Sequence, residues 1–493
     1  MFPLKRSNNS QFLRGRLWEQ VFGRTEMVAA GGKNGRSWNL GVVCILTVVA
    51  LSVHIFASSV VLPLFKDARG GGGNQSRFFP PASSVSGNEQ RLETPARAMA
   101  VGSEEIRVSE TSGSLPTSID SVINLDHGDP TMYEKFWREA GDAARLIIPG
   151  SQTMSYFSDV TNLCWFLEPE FAAEIRRLHR LVGNAVADKD SYIIVGTGSS
   201  QLFQAALYAL STSPEVAGRG GAWPLPVVAS APYYSSYPAA TDLLQSGLFR
   251  WAGDAVTFKD GREPYIEVVC SPSNPDGFLK TESVASGNGM VIHDLAYYWP
   301  QYTAITNPAD HDIMLFTASK CTGHAGMRLG WAIVRDRDVA RRMIKFIEIS
   351  TIGVSKDSQL RATKILKTVS DRYEVETTEE SAKLFHFGRK TMRDRWRRLQ
   401  AAVAASNVFS LPIFQPDYCN FMKETTLPFP AFAWLKCEHA DIEDCESFLR
   451  QKYKILTRGG MHFGADAKHV RVSMLDRDGT FDMFIERLSS IEL

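Results

Sequence analysis

The chain has 493 residues, 54 basic and 54 acidic side chains, and a formal net charge of zero. That balance excludes a general nucleic-acid binder, and no stretch of the folded part is basic enough to track phosphates. Hydrophobic residues make up 44% and charged residues 22%. These values exclude a disordered or collagen-like chain, and the length allows two or three domains with a sizeable core.

The first element in chain order is apolar. Residues 40–65 form a run of 26 without Asp, Glu, Lys or Arg, in which His54 is the one ionisable side chain. Roughly 20 apolar residues span a bilayer core as a helix. With 39 residues ahead of it, the run is too long and too far along to be a signal peptide, so one transmembrane helix over 40–65 is expected. Residues 1–39 carry seven basic side chains against Glu19 and Glu26, whereas Lys66, Asp67 and Arg69 beyond the run are nearly balanced. The positive-inside bias makes 1–39 a cytosolic tail and puts the bulk of the chain across the membrane. Residues 66–118 read as a flexible linker, with Gly70–Gly73, Pro80 and Pro81 in a Ser/Gly/Glu-rich stretch. Asn74-Gln75-Ser76 matches a glycosylation sequon.

From Ser121 the pattern becomes that of a packed α/β protein. Short apolar runs at Tyr192–Val195, Val227–Ala229, Tyr265–Val269, Met290–Ile292, Asp312–Phe316 and Leu329–Val334 predict strands. Ser200–Leu210 has helical period and follows a glycine turn. Strands separated by longer helical stretches predict a largely parallel sheet with helices on both faces, in a large domain over 119–350. Amphipathic helices at Val339–Ile349 and Phe385–Ala404, then strands near Ala431–Trp434 and His469–Ser473, predict a smaller α+β domain over 351–493. Seven cysteines, at 44, 164, 270, 321, 419, 437 and 445, show no CxxC spacing. Buried reduced thiols are expected, rather than a zinc cluster or a disulfide framework.

Five segments carry the chemistry when they are read together. Val195-Gly196-Thr197-Gly198-Ser199-Ser200-Gln201 is a strand–turn–helix junction whose free amides suit an anion. Ser271-Pro272-Ser273-Asn274-Pro275-Asp276-Gly277 follows a strand and reads as a turn, but it also sets Asn274 at a strand end, where open α/β sheets bind ligands. His293-Asp294-Leu295-Ala296-Tyr297 repeats that placement for Asp294. In Thr317-Ala318-Ser319-Lys320 a lysine ends an apolar strand, an unusual site for a residue normally kept in solvent. Val470-Arg471-Val472-Ser473 puts an arginine inside a C-terminal strand. A buried unpaired charge is costly, so Arg471 needs an anion, either an internal acid such as Asp476 or Asp478 or a bound substrate. A strand-end lysine, an upstream aspartate and a phosphate turn are what pyridoxal phosphate requires: an amine for its aldehyde, a carboxylate for its ring nitrogen, and amides with a cation for its phosphate. No metal-ligand cluster, nucleophile elbow or Walker motif competes in the sequence.

Asn124–Thr131, Met154–Pro169, GTGSSQ, SNPDG, HDLAYYWP, SK-TGHAG-R and STIGVSKDSQ, in order over about residues 119–493, closely resemble plant tryptophan aminotransferase-related proteins. These stand with the alliinases among fold-type-I pyridoxal phosphate enzymes. The membrane run resembles the anchored branch of that group, which implies a single-pass protein of the endoplasmic reticulum. The chain lacks the cysteine-rich module that alliinases carry, which lowers a C–S lyase reading. The resemblance implies a homodimeric aminotransferase that moves the amino group of L-tryptophan to pyruvate or another 2-oxo acid, yielding indole-3-pyruvate for auxin synthesis. A non-catalytic membrane-held partner protein is the remaining alternative.

By the same resemblance Lys320 is the Schiff-base lysine and proton shuttle. Asp294 pairs with the pyridine nitrogen, Asn274 and Tyr297 hydrogen-bond the ring oxygen, and Tyr234 stacks on the ring. Gly198, Ser199, Ser200, Ser319 and Arg328 hold the phosphate, and Arg471 clamps the substrate carboxylate. Tyr156 reaches across a dimer interface into the neighbouring site. Met327 stands where a small serine is expected and threatens to crowd the phosphate seat. Tyr133, Trp165 and Phe166 are an aromatic set able to shape an indole pocket, although such a set also suits a core.

Overall fold

The computed structural model describes residues 121–491, apart from 215, 217–223, 260–262, 285–286 and 377. The expected tail, membrane helix, linker and sequon lie outside the described residues. Among the described residues no helix is long and apolar enough to cross a membrane.

The described residues start with a two-residue strand, β1 (Ile123–Asn124), and a short helix, α1 (Glu134–Ala140). Helix α2 (Pro169–Val182) opens on a proline at its first turn and stops at Gly183, which takes a left-handed conformation. The large sheet then forms from β2 (Tyr192–Gly196), β3 (Leu225–Ala229), β4 (Phe249–Asp254), β5 (Tyr265–Cys270), β6 (Gly289–Asp294), β7 (Ile313–Thr317) and β8 (Gly330–Val334). Their order is β2-β8-β7-β6-β5-β3-β4, parallel throughout except that β8 runs antiparallel to both its neighbours. Central strands such as β5, β7 and β8 are buried at every position, as expected for a sheet covered on both faces. Helices α3 (Gly198–Ser211), α4 (Ser236–Asp242) and the single turn α5 (Ala318–Cys321) sit in the crossovers, and α6 (Arg337–Thr351) follows β8.

Two long helices, α7 (Lys356–Glu374) and α8 (Leu384–Ser406), lead into the smaller lobe. There β9 (Phe409–Ser410), the hairpin β10 (Asp417–Cys419) and β11 (Glu424–Thr426), β12 (Phe432–Cys437), helix α9 (Cys445–Tyr453), β13 (Ile455–Leu456), β14 (Arg458–Gly459), β15 (His469–Ser473) and helix α10 (Asp478–Ser489) complete the fold. Its antiparallel sheet has the order β14-β15-β12-β9, and α8 packs on α10. The N-terminal segment joins this lobe: β1 pairs in parallel with β13, and Ser473 N donates to the Leu125 carbonyl at 2.9 Å.

All six expected strands of the large sheet form, as do the expected helices. Among the elements that went unread are β4, whose sequence Phe-Arg-Trp-Ala-Gly-Asp mixes polar and apolar residues at a sheet edge, and helices α2 and α7. The thiol expectation needs a correction. Cys437, ending β12, and Cys445, opening α9, form a disulfide; Cys164, Cys270, Cys321 and Cys419 are free and buried. Spacing alone does not reveal that a strand and a helix seven residues apart fold back on one another.

Candidate active site

A cavity of about 300 Å³ opens at the C-terminal ends of the parallel strands, where an open α/β sheet presents loops rather than side chains of its own layer. Of the residues singled out in the sequence, Ser199, Ser200, Tyr234, Asn274, Asp294, Tyr297, Ser319, Lys320 and Arg328 line it.

One end is built to accept an anion. Helix α3 begins at Gly198 without a side-chain cap, so the amides of its first turn have no side chain to satisfy them. Gly198 has φ +76, and a Cβ there would lie 2.8 Å from Arg328 Nη2, so the turn needs glycine twice over. Arg328 itself takes a left-handed conformation, φ 51, and anchors its guanidinium to the Ala325 carbonyl at 2.9 Å. Ser319, held by Thr317 Oγ1 to Oγ at 3.1 Å, lies on the same loop. Met327 packs against the hydrophobic core and does not line the cavity, so the expected crowding is absent.

The middle of the cavity carries an amine and a carboxylate. Lys320 follows β7 on the one-turn helix α5, and its Nζ donates to the Gly128 carbonyl. Burial pushes this amine down to about 7, with Arg471 and Arg328 reinforcing the effect and Asp129 opposing it. Asp294 ends β6, and its carboxylate accepts from Tyr237 Oη at 2.8 Å and from Ala296 N at 3.2 Å. Burial raises its pKa, and the Tyr237 hydrogen bond works against that. Tyr234 stands edge-on to Tyr237 at 5.4 Å. Its neighbour Tyr233 is turned elsewhere, edge-on to Trp251 at 4.9 Å.

The smaller lobe reaches the site from behind Asn274, a lining residue that Arg471 contacts without lining the cavity itself. Arg471 in β15 is 3% exposed. Its Nη1 donates to Asn274 Oδ1 at 3.1 Å, Nη2 donates to the Asp126 carbonyl, and the guanidinium lies 4.2 Å from the Phe432 ring centroid. Nε is buried without a partner. Burial lowers its pKa to about 10. Neither acid foreseen as an internal counter-ion serves: Asp478 binds Arg395 at 2.7 Å, and Asp476 binds His127 at 3.4 Å. The nearest carboxylate, Asp126, is taken by Arg458 at 2.6 Å and stands 4.0 Å from Arg471.

Gly198 and Arg471 stand beside the cavity without lining it, and two further expectations do not meet there. Tyr156 is 63% exposed, outside the cavity, with its ring edge-on to Phe157. Tyr133 and Phe166 are core residues, 1% exposed each, and Trp165 packs edge-on against Phe166; none lines the cavity. Conversely, the sequence reading missed Tyr237 and Arg458. Tyr237 is the third tyrosine of APYYSSY, where nothing distinguishes the one that reaches Asp294.

The comparisons agree with this geometry. Solved structures of an aminotransferase from Staphylococcus aureus (TM-score 0.52, 18% identity, 77% of this chain and 96% of that one) and of the aspartate aminotransferase of Rhizobium meliloti (TM-score 0.52, 15% identity, 75% and 91%) share the fold. Tryptophan aminotransferase-related protein 2 of Oryza sativa subsp. japonica is 61% identical over 78% of this chain and 76% of its own length, and its Arabidopsis thaliana namesake is 56% identical over 75% and 82%. Alliin lyase of Allium cepa var. aggregatum is 36% identical over 73% and 79%. The allinase family model matches residues 123–492, from the first strand through the last helix, so the parallel sheet and the smaller lobe both fall inside it, and the chain belongs to the allinase family.

Proposed function

We propose that the chain is a pyridoxal phosphate-dependent aminotransferase that transfers the amino group of L-tryptophan to a 2-oxo acid such as pyruvate, giving indole-3-pyruvate for auxin synthesis. The observation that carries this reading is a buried amine and a buried carboxylate facing one cavity whose far end is an uncapped helix N-terminus beside an arginine. That donor set fits the cofactor. The α3 amides, Ser199, Ser200, Ser319 and Arg328 would hold its phosphate and Asp294 its ring nitrogen. Asn274 and Tyr297 would hold its ring oxygen, Tyr234 would stack on it, and Lys320 would bond its aldehyde carbon. When bound, the group supplies an electron sink for the electrons released as the Cα–H bond breaks.

This chain's own residues do the rest. Lys320 Nζ, largely neutral above about pH 7, takes the proton from the substrate Cα and returns one when the second substrate is aminated. Arg471 turns its fork to the substrate carboxylate, and its unpartnered Nε supports that role. Tyr237 donates to Asp294 and so works against the rise that burial gives its pKa.

Preference for tryptophan draws on the names of relatives 56–61% identical. The exposed apolar residues Met154, Tyr156, Phe157 and Val160 support a homodimer in which Tyr156 enters the partner's site. The uncharged run over 40–65 supports a single-pass anchor in the endoplasmic reticulum. A C–S lyase is the second reading, favoured by the family's description and the alliin lyases at 36% identity. A non-catalytic partner protein has no need of a desolvated lysine facing a buried carboxylate.

The test is stoichiometry. The purified full-length chain should consume tryptophan only with a 2-oxo acid present, forming one new amino acid per tryptophan lost. Ammonia release from a cysteine sulfoxide faster than that transfer would assign the chain to the lyases.

A further inference from the structure

Three side chains able to bind a metal meet outside the cavity, at sequence positions too far apart to read as a motif. His293 precedes Asp294 in β6, and strand alternation turns the two side chains to opposite faces of the sheet. The His293 ring is 6% exposed, its Nε2 lies 3.1 Å from Glu282 Oε1, and its Nδ1 is buried without a partner. His311, just ahead of β7, stacks on it with ring centroids 3.5 Å apart and planes 7° from parallel. One ligand atom from each of the three lies within 4.8 Å of the others, and no other such trio converges among the described residues.

Glu282 does not arrive there by chance. The carboxylate of Glu267 in β5, 1% exposed, accepts from Ser283 N at 2.6 Å and Val284 N at 3.3 Å. A buried acid thus pins the backbone immediately after Glu282, setting its side chain against the histidine pair.

We propose that Glu282, His293 and His311 bind one divalent transition-metal ion of the Zn²⁺ or Co²⁺ class. Two imidazoles and one carboxylate suit such an ion, whereas Mg²⁺ and Ca²⁺ prefer oxygen throughout. Three protein ligands leave a coordination position for water. The 3.1 Å between His293 Nε2 and the Glu282 oxygen is close to the ligand–ligand spacing of roughly 3.4 Å implied by tetrahedral bonds of about 2.1 Å. Half-buried His311 supplies the third ligand by rotation of its ring. The ion joins the segment around 282 to β6 and to the approach of β7, the two strands that end at Asp294 and just before Lys320.

The experiment uses the untagged full-length chain, stripped with a chelator and dialysed against cobalt(II) chloride. One Co²⁺ per chain, with visible d–d absorption of a four- or five-coordinate ion, is expected. His311→Ala should weaken binding at least about tenfold. Glu282→Gln, on an exposed side chain, should do the same and covers the case in which His311→Ala does not fold. His462→Ala, an exposed histidine elsewhere, should bind as the unaltered chain does. Failure of the unaltered chain to take up Co²⁺, or equal uptake by His311→Ala and Glu282→Gln, overturns the proposal.

Discussion

Each lobe buries one cation at the site, Lys320 from the parallel sheet and Arg471 from the smaller lobe, and they do so differently. Lys320 stands on the parallel-sheet side, in a loop that one strand delivers, and it loses most of its basicity there, from the usual 10.5 to about 7. Arg471 stands on the antiparallel sheet of the smaller lobe and falls only to about 10, so it stays charged. Both shifts have burial as their largest cause. The difference lies in the starting values and the surroundings. An ammonium near neutrality becomes a base when desolvated, whereas a guanidinium held by Asn274, a carbonyl and the faces of Phe432 and Phe463 keeps its proton. One lobe is therefore suited to moving a proton and the other to holding an anion.

The sharpest break in that comparison is Lys320→Ala. Transamination should fall at least about 1,000-fold, because the substitution removes the amine that would move the Cα proton. Far-UV circular dichroism should stay unchanged. Borohydride reduction of the unaltered holoenzyme should leave the pyridoxyl group on Lys320 by peptide mapping, and its appearance on another lysine would sink the assignment. Arg471→Lys comes next. It keeps the charge and removes the fork, so kcat/KM should drop about 30- to 1,000-fold for the amino acid and the oxo acid alike. A loss of several degrees in melting temperature with near-normal kcat/KM would give Arg471 to the fold instead.

Two smaller effects sharpen the contrast. A lowered lysine pKa means that the folded chain holds this proton less tightly than a free lysine would. The rate at which the cofactor-free chain recaptures pyridoxal phosphate should therefore rise about tenfold per pH unit below pH 7 and level off above it, since the neutral amine is the attacking form. A profile still climbing tenfold per unit at pH 9 would mean that Lys320 is not desolvated. Tyr237→Phe removes a donor that holds the Asp294 pKa down. Hydrogen bonds to charged groups contribute about 1.5–3 kcal/mol, so cofactor retention on dialysis should weaken about 10- to 100-fold, and normal retention would leave Tyr237 as packing only.

The sequence by itself determined six of the seven strands of the large sheet, the strand-end positions of Asn274, Asp294 and Lys320, and the glycine turn before α3. Each is a local event: an apolar run, then a turn residue, then a helix, all within about ten residues. It also marked Arg471 as unusual, because a charge inside an apolar strand is conspicuous without any partner in view. The tertiary structure alone decided what these residues face. Arg471 meets Asn274 across 197 positions and the Asp126 carbonyl across 345. Tyr237 was selected from three tyrosines by its distance to Asp294, and Asp476 and Asp478 were withdrawn as counter-ions by His127 and Arg395. The aromatic trio at 133, 165 and 166 went to packing, and Cys437 found Cys445. Side-chain chemistry and strand period are written along the chain, but hydrogen bonds, ion pairs and disulfides form through space, and which groups come within 3 Å depends on how distant segments close on one another.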